Sequence, residues 1–307
     1  MFESSGFGKL LLMGEYLVLE GVQALSFPTV FKQTLNVSAV DGAPQILWES
    51  HDRDGKWFEE VFDLQTFEPR KNMENPSALF ISSLLNKIRR LNPAFCSERK
   101  SYKILTRMDF PRNWGLGSSS TLIHNLAQWA KVNPMELCFD ATNGSGYDVA
   151  QAGEKQPILY HLKAASKPKW IQLPYMPNFH NQLFFVYLGE KQDSSNEVRS
   201  FRELKKTKSL SRAIERVNGL VQDFIKTEQL SMAENILIEH ENILSDILER
   251  PRIQEERFDD YNKGVIKSLG GWGGDFILAT GSYEARDYFR DKGYGIIMGW
   301  EEMIRSL

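Results

Sequence analysis

Residues 111–121 read PRNWGLGSSST, a glycine-rich turn between an apolar strand pattern, SYKILTRMDF (101–110), and a helical stripe of Leu122, Ile123, Leu126, Ala127 and Ala130. Glycines let a backbone approach a ligand closely, and a helix that starts at the serines aims unpaired N–H groups and the positive end of its dipole at an anion. A phosphate group suits such a cradle. No lysine follows Gly117, so this is not a Walker A loop, and the spacing does not fit GxGxxG. The competing interpretation is a plain glycine turn with a serine N-cap.

Upstream, GFGKLLLMGEYLVLEG (6–21) reads as a β-hairpin around Gly14 that carries two charges, Lys9 and Glu15. They stand six positions apart, on one side of a regular strand, so they reach a site or share a solvent face. TVFKQTLNVSAV (29–40), PQILWES (44–50) and KWFEEVFDL (56–64) continue a mostly antiparallel sheet, with HDRDG as a turn. Asn75 is the expected N-cap of a helix with Pro76 in its first turn, running to about Leu91.

Downstream, Asn133-Pro134 is expected to close the helix after the glycine loop, and PMELCFDAT to form a short further one. NGSGYDVAQAG (143–153) is a glycine turn entering a helical turn. Its Asp148 suits a general base towards a substrate hydroxyl, and equally a dipole-stabilising aspartate in a first helical turn. Two strands follow, QPILYHLKA and QLFFVYLG. Between them the three prolines of KPKWIQLPYMPNFHN (167–181) mark the interdomain candidate, which gives domains of 1–170 and 171–307. Ser194 to Leu269 reads as almost wholly helical. LGGWGGDFILATG (269–281) sets glycines around Trp272 before an apolar strand, and a helix at Tyr283–Lys292 and the strand GIIMG complete the chain.

A chain of 307 residues is enough for about two domains. Its 42% hydrophobic and 25% charged residues are those of a globular protein, and a formal charge of -3 lacks the basic footprint of a nucleic-acid binder. The basic cluster Arg202–Lys208 includes Glu203 and reads as a solvated helix face. Cys96 and Cys138 form neither a disulfide framework nor a zinc pattern, which points to a reducing, cytoplasmic setting. The histidines His51, His124, His161, His180 and His240 are scattered, and no apolar run approaches a membrane span.

Taken together, four segments in order resemble the GHMP kinases, the family of galactokinase, homoserine kinase, mevalonate kinase and phosphomevalonate kinase. GKLLLMGEYLVLEG is similar to the first family motif, a lysine followed by GE[HY]. Pro111 to Ser119 fits the second, P-x3-G-L-G-S-S, the most specific of them, and GGWGGDFILAT resembles the third. GSGYDVA resembles the GSG-x-D turn of the mevalonate-pathway members, and its GYD[IV]A form suggests a bacterial subgroup.

The resemblance implies an α+β, two-domain fold, with an N-terminal mixed sheet and helices and a C-terminal ferredoxin-like domain closing a catalytic cleft. It implies transfer of the γ-phosphoryl group of ATP, with Mg2+, to a small alcohol or phosphate acceptor, and mevalonate is the first choice. Phosphomevalonate, another sugar or alcohol, or a weakly active nucleotide-binding module are the alternatives. By the same resemblance Asp148 and Lys9 are catalytic, Asp148 taking the acceptor proton with Lys9 supporting it. Pro111, Gly115, Leu116, Gly117, Ser118, Ser119 and Ser120 hold ATP. Glu15, Tyr16, Gly146 and Tyr147 bind the acceptor, and Gly270, Gly271, Gly273 and Gly274 form the third-motif loop.

The resemblance further implies magnesium on Ser119, with Glu136 as the first choice of acidic ligand, Asp140 as the other, and Ser119 with phosphates and water alone as the third option. Only 29 positions separate Ser119 from Asp148, and Glu136 and Asp140 are the acidic residues considered between them. Trp272 and Asp275 depart from the small residues common in the third motif. A small-molecule partner is expected, with neither nucleic acid nor membrane, and a homodimer is left open.

Overall fold

The computed structural model describes residues 1–98, 100–162, 167–190, 194–205 and 210–306. Two compact units emerge, and neither is a single run of chain. Unit one comprises Met1–Gly8, Phe31–Arg112 and Gly117–Gly153; unit two comprises Lys9–Val30, Asn113–Leu116 and Glu154–Leu307.

Unit one holds the start of β1 (Phe2–Met13), the second half of β2 (Ala24–Val40), β3 (Gln45–Asp52), β4 (Gly55–Asp63), α1 (Pro76–Leu91), β5 (Ser101–Met108), α2 (Ser118–Ala130), α3 (Pro134–Ala141) and α4 (Tyr147–Ala152). Its strands run β4-β3-β5-β2; the β3–β5 pair is parallel and the others are antiparallel. The sheet is therefore mixed. Asn75 caps α1 as its sequence promises, its side chain accepting the Ser77 and Ala78 N–H groups. Trp129 of α2 packs against Tyr102 of β5 at 5.9 Å, which seats that helix on the sheet.

α2 stops earlier than expected. Lys131 adopts a left-handed conformation after Ala130, and Asn133 caps the next helix, α3, with Pro134 in its first turn. Asparagine followed by proline is a helix start as well as a stop.

Unit two contributes β6 (Ile158–His161), β7 (Lys169–Gln172), β8 (Leu183–Tyr187), α5 (Ser194–Lys205), α6 (Ser211–Lys226), α7 (Leu230–Leu248), α8 (Ile253–Arg257), β9 (Ile266–Leu269), β10 (Phe276–Thr280), α9 (Ala285–Asp291), β11 (Ile297–Gly299) and α10 (Trp300–Met303). The sheet β11-β8-β10-β9 is wholly antiparallel. With helices after β8 and α9 after β10, this is the βαββαβ order of a ferredoxin-like fold. Phe184, Val186, Ile266, Ile277 and Ala279 bury one face against Ile253, Phe258 and Phe289. The other face carries Phe185, 6.0 Å from Trp300, whose ring also meets Phe27 edge-on at 5.1 Å.

The proline-rich stretch 167–181 is not a linker. β7 lies inside it and pairs with β6, the Tyr175 hydroxyl donates to the Phe224 carbonyl at 3.0 Å, and Phe179 is buried. The helical run also ends sooner than its pattern suggests, because Ile266–Leu269 pairs with β10. Of the basic cluster, Arg202 to Lys205 lie in α5, and 206–208 fall outside the described residues. No helix among the described residues is long and apolar enough to cross a membrane.

Candidate active site

In unit one the glycine loop ends at Gly117, whose φ of 94° makes it a left-handed N-cap, and no side chain caps α2. The serine N-cap alternative therefore fails. The Ser120 hydroxyl donates to the Gly117 carbonyl at 2.8 Å and the Thr121 N–H to the same oxygen at 3.0 Å. Ser120 is buried, whereas Ser118 is half-buried and Ser119 exposed. The first-turn amides and the Ser119 hydroxyl are the groups left to meet an anion, at the positive end of a 13-residue helix.

A buried polar network fixes that helix end. Thr121 donates to Gln33 Oε1 at 2.8 Å, Asn125 donates to the Gln33 carbonyl at 2.9 Å, and the Ser4 hydroxyl donates to Asn125 Oδ1 at 2.9 Å. Glycine at position 6 lets β1 approach closely: a Cβ there would press on the Thr121 backbone at 3.2 Å and push it by a few tenths of an ångström.

Asp148 stands in the first turn of α4, half-buried, its Oδ1 accepting the Val149 N–H at 3.0 Å. Gly146 before it has a φ of 81°, and a Cβ would lie 2.7 Å from Met135 Cε. Tyr147 opens the helix. Burial, and secondarily the Asp148 charge, push the Cys138 thiol up to about 12, so it is no nucleophile. Glu136 is exposed in the first turn of α3, and the Asp140 carboxylate pairs with Arg90 at 2.7 Å. Pro111 leads into the loop, half-buried.

Unit two carries the first part of the loop. The Lys9 ammonium donates to the Gly115 carbonyl at 3.1 Å, and the Lys9 N–H donates to the Leu116 carbonyl at 3.0 Å. Gly115 has a φ of 67°, and a Cβ there would come within 2.2 Å of the Asp275 carboxylate. Asp275 itself holds a φ of 44°, its N–H on the Glu190 carbonyl at 2.7 Å and its carbonyl accepting from Leu188 at 2.9 Å. Gly270 and Gly273 are left-handed, and the Gly274 N–H closes a turn on the Gly271 carbonyl.

The segment GEYLVLEG departs from the expected hairpin. β1 ends at Met13, Gly14 is left-handed with a Cβ position 2.7 Å from the Gln23 carbonyl, and Leu17–Glu20 form a 3₁₀ turn. Strand parity thus does not apply to Glu15. Its carboxylate is buried, with Oε1 2.5 Å from the Lys267 ammonium and Oε2 3.4 Å from His240 Nε2. Lys267 also donates to the Ser268 carbonyl at 2.8 Å and lies 3.7 Å from Glu241 Oε1. The Gly14 N–H donates to His240 Nε2 at 3.1 Å. The Tyr16 hydroxyl donates to Glu197 at 2.7 Å and accepts the Trp272 N–H at 2.8 Å.

Solved structures with this architecture include the mevalonate kinase of Methanococcus jannaschii, at 13% identity and a TM-score of 0.66, covering 100% of this chain and 98% of that one. Another is the Streptococcus pneumoniae phosphomevalonate kinase in complex with phosphomevalonate and AMPPNP, at 16% identity and 0.68, covering 97% and 100%. A third is the Lactococcus lactis galactokinase complexed with galactose, at 14% and 0.67, covering 99% and 93%. The chain has the GHMP kinase fold. No family model and no curated protein matches it.

Against that GHMP kinase fold, the structure brings Ser118, Ser119, Ser120, Gly146, Tyr147 and Asp148 into unit one, and Lys9, Glu15, Tyr16, Gly115, Leu116 and the third-motif glycines into unit two. His240, Glu241 and Lys267 escaped sequence reasoning. Lys267 sits in the short pattern IKSL, and nothing local announces a partner 252 positions away.

Burial drives these groups towards their neutral forms. Burial raises Glu15, an effect that the Lys267 ammonium partly offsets. Burial, and then Lys267, hold His240 well below its ordinary value, so it stays neutral. Burial pushes Glu241 up to about 7, with Lys267 opposing and Glu15 adding to the rise. Since unfolded Glu241 releases its proton near 4.5, its contribution to stability is present below that pH and is lost as pH rises to about 7. Glu241→Gln should therefore gain up to about 3 kcal/mol on the wild type between pH 4.5 and 8. Denaturant titrations at the two pH values check this, and parallel pH dependence in both proteins would refute it.

Proposed function

We propose that this chain is a cytoplasmic ATP-dependent kinase that transfers the γ-phosphoryl group of ATP to mevalonate. The observation that carries the reading is the α2 N-terminus, left open by a left-handed Gly117 and no capping side chain, in the same unit as the carboxylate of Asp148. Likeness to mevalonate and phosphomevalonate kinases supports the reaction class. The two free cysteines, Cys96 and Cys138, suit a reducing compartment.

In this proposal the α2 amides hold phosphate oxygens and Ser119 adds a hydroxyl. Lys9 fixes the Gly115 carbonyl and places positive charge beside the loop. Asp148 accepts the proton of the acceptor hydroxyl as its oxygen bonds to the γ-phosphorus and the bond to ADP breaks. Charge neutralisation and positioning supply most of the rate. Among the described residues no cluster of three His, Cys, Asp or Glu side chains could hold a metal alone. The hard oxygens of Ser119 and Glu136 suit a magnesium ion that keeps most of its ligands from phosphates and water. Such an ion, when bound, neutralises phosphate charge.

ADP release measured with mevalonate, phosphomevalonate, homoserine and galactose tests the reading. Mevalonate should give the fastest turnover. Faster turnover of phosphomevalonate would reassign the acceptor. Silence with all four, from a folded protein that binds ATP, would reject a mevalonate-branch kinase.

A further inference from the structure

We propose that Lys267 is a positioning residue for the phosphate loop: through Glu15 it ties the first-motif turn to β9, the strand that leads into the third-motif loop, and those two segments together hold Gly115. The inference rests on the kinase reading for its catalytic consequence, but its geometry stands alone within unit two. Lys267 is 1% exposed and bonds Glu15 at 2.5 Å, at the strand that opens the glycine loop 270–274. One residue along, the Tyr16 hydroxyl accepts the Trp272 N–H. At the far end of that loop the Asp275 carboxylate lies over Gly115, whose carbonyl takes the Lys9 ammonium. The chain thus returns on itself: β1 with Lys9, the turn with Glu15 and Tyr16, the loop from Lys267 to Asp275, and Gly115.

Unpartnered atoms mark this place as built for more than packing. Glu15 Oε2, Glu241 Oε1, His240 Nδ1 and Ser268 Oγ are all buried without a hydrogen-bond partner among the described residues. Each such group costs stability, so an apolar filling would be the easier way to hold these segments. Two carboxylates and one ammonium instead give a charged tie whose length is fixed by the Lys267–Glu15 contact.

A merely structural pair and a positioning pair separate in the double variant Glu15→Gln/Lys267→Met. Removing both charges also lifts the lysine's opposition to the burial that keeps Glu241 protonated, so near neutral pH no uncompensated ion is left buried and the fold should stay near wild-type stability. Positioning by Lys267 then predicts at least tenfold faster hydrogen–deuterium exchange in peptides covering 113–117 and 270–275 without nucleotide. It also predicts at least a thirtyfold lower kcat/KM for ATP. Wild-type exchange and kcat/KM in a folded double variant would overturn the proposal.

If the double variant does not fold, Lys267→Arg decides. It keeps the charge but changes its reach, and exchange across 113–117 should rise at least fivefold; unchanged exchange overturns the proposal. A wild-type protein that turns over none of the acceptors would sink the kinase reading, and the exchange measurement would still judge Lys267 by itself.

Discussion

Asp148→Asn is expected to lower turnover about 100- to 10,000-fold while ATP affinity stays within a few-fold of wild type. Asparagine keeps the shape of the side chain and can still accept the Val149 N–H through its oxygen. It cannot take a proton. The groups proposed to hold phosphate, the α2 amides after Gly117, belong to another helix and are untouched. Steady-state kinetics alongside a fluorescent-nucleotide titration would check this. A variant with wild-type turnover would remove Asp148 from the chemistry, and one that lost ATP binding and melted early would show a structural role for the α4 start.

Lys267→Met alone should be among the most destabilising single changes in unit two, by about 3–5 kcal/mol. The ammonium is the cation that Glu15 and Glu241 both face, at 2.5 and 3.7 Å, and all three side chains are buried. Removing it leaves both carboxylates to protonate or to draw in water. The loss should be larger at pH 8 than at pH 5, because raised carboxyl groups hold their protons in acid and then have less need of the lysine. Chemical denaturation at the two pH values reads this directly. A cost below about 1 kcal/mol at both would show that the cluster is wetter than its burial implies.

The parts of the fold legible in sequence are those where one residue type answers a local demand. Asn75 with Pro76 announces a helix start, and the glycines of the 111–121 loop announce a left-handed backbone, crowded at Gly115 by the Asp275 carboxylate. Glu15 could not be placed by the same means, because its strand ends at Met13 and the left-handed Gly14 turns the chain before it. The prolines of 167–181 signalled a linker, yet proline is compatible with the flanks of an edge strand, and β7 occupies the proline-free interval Lys169–Gln172. His240, Glu241 and Lys267 were illegible for a different reason. Their meaning comes from tertiary pairing, and in sequence a buried lysine looks like an exposed one.

The interleaving of the two units has a consequence for synthesis on the ribosome. By the time Gly153 emerges, every segment of unit one has been made, but residues 9–30 and 113–116 still await Glu154–Leu307. Those early segments carry Leu10, Leu11, Leu12, Leu17, Val22, Leu25 and Phe27, all buried in the finished protein. A nascent chain therefore carries these apolar residues without their later unit-two segments for half of its translation, and products truncated near Gly153 should aggregate more readily than the full chain.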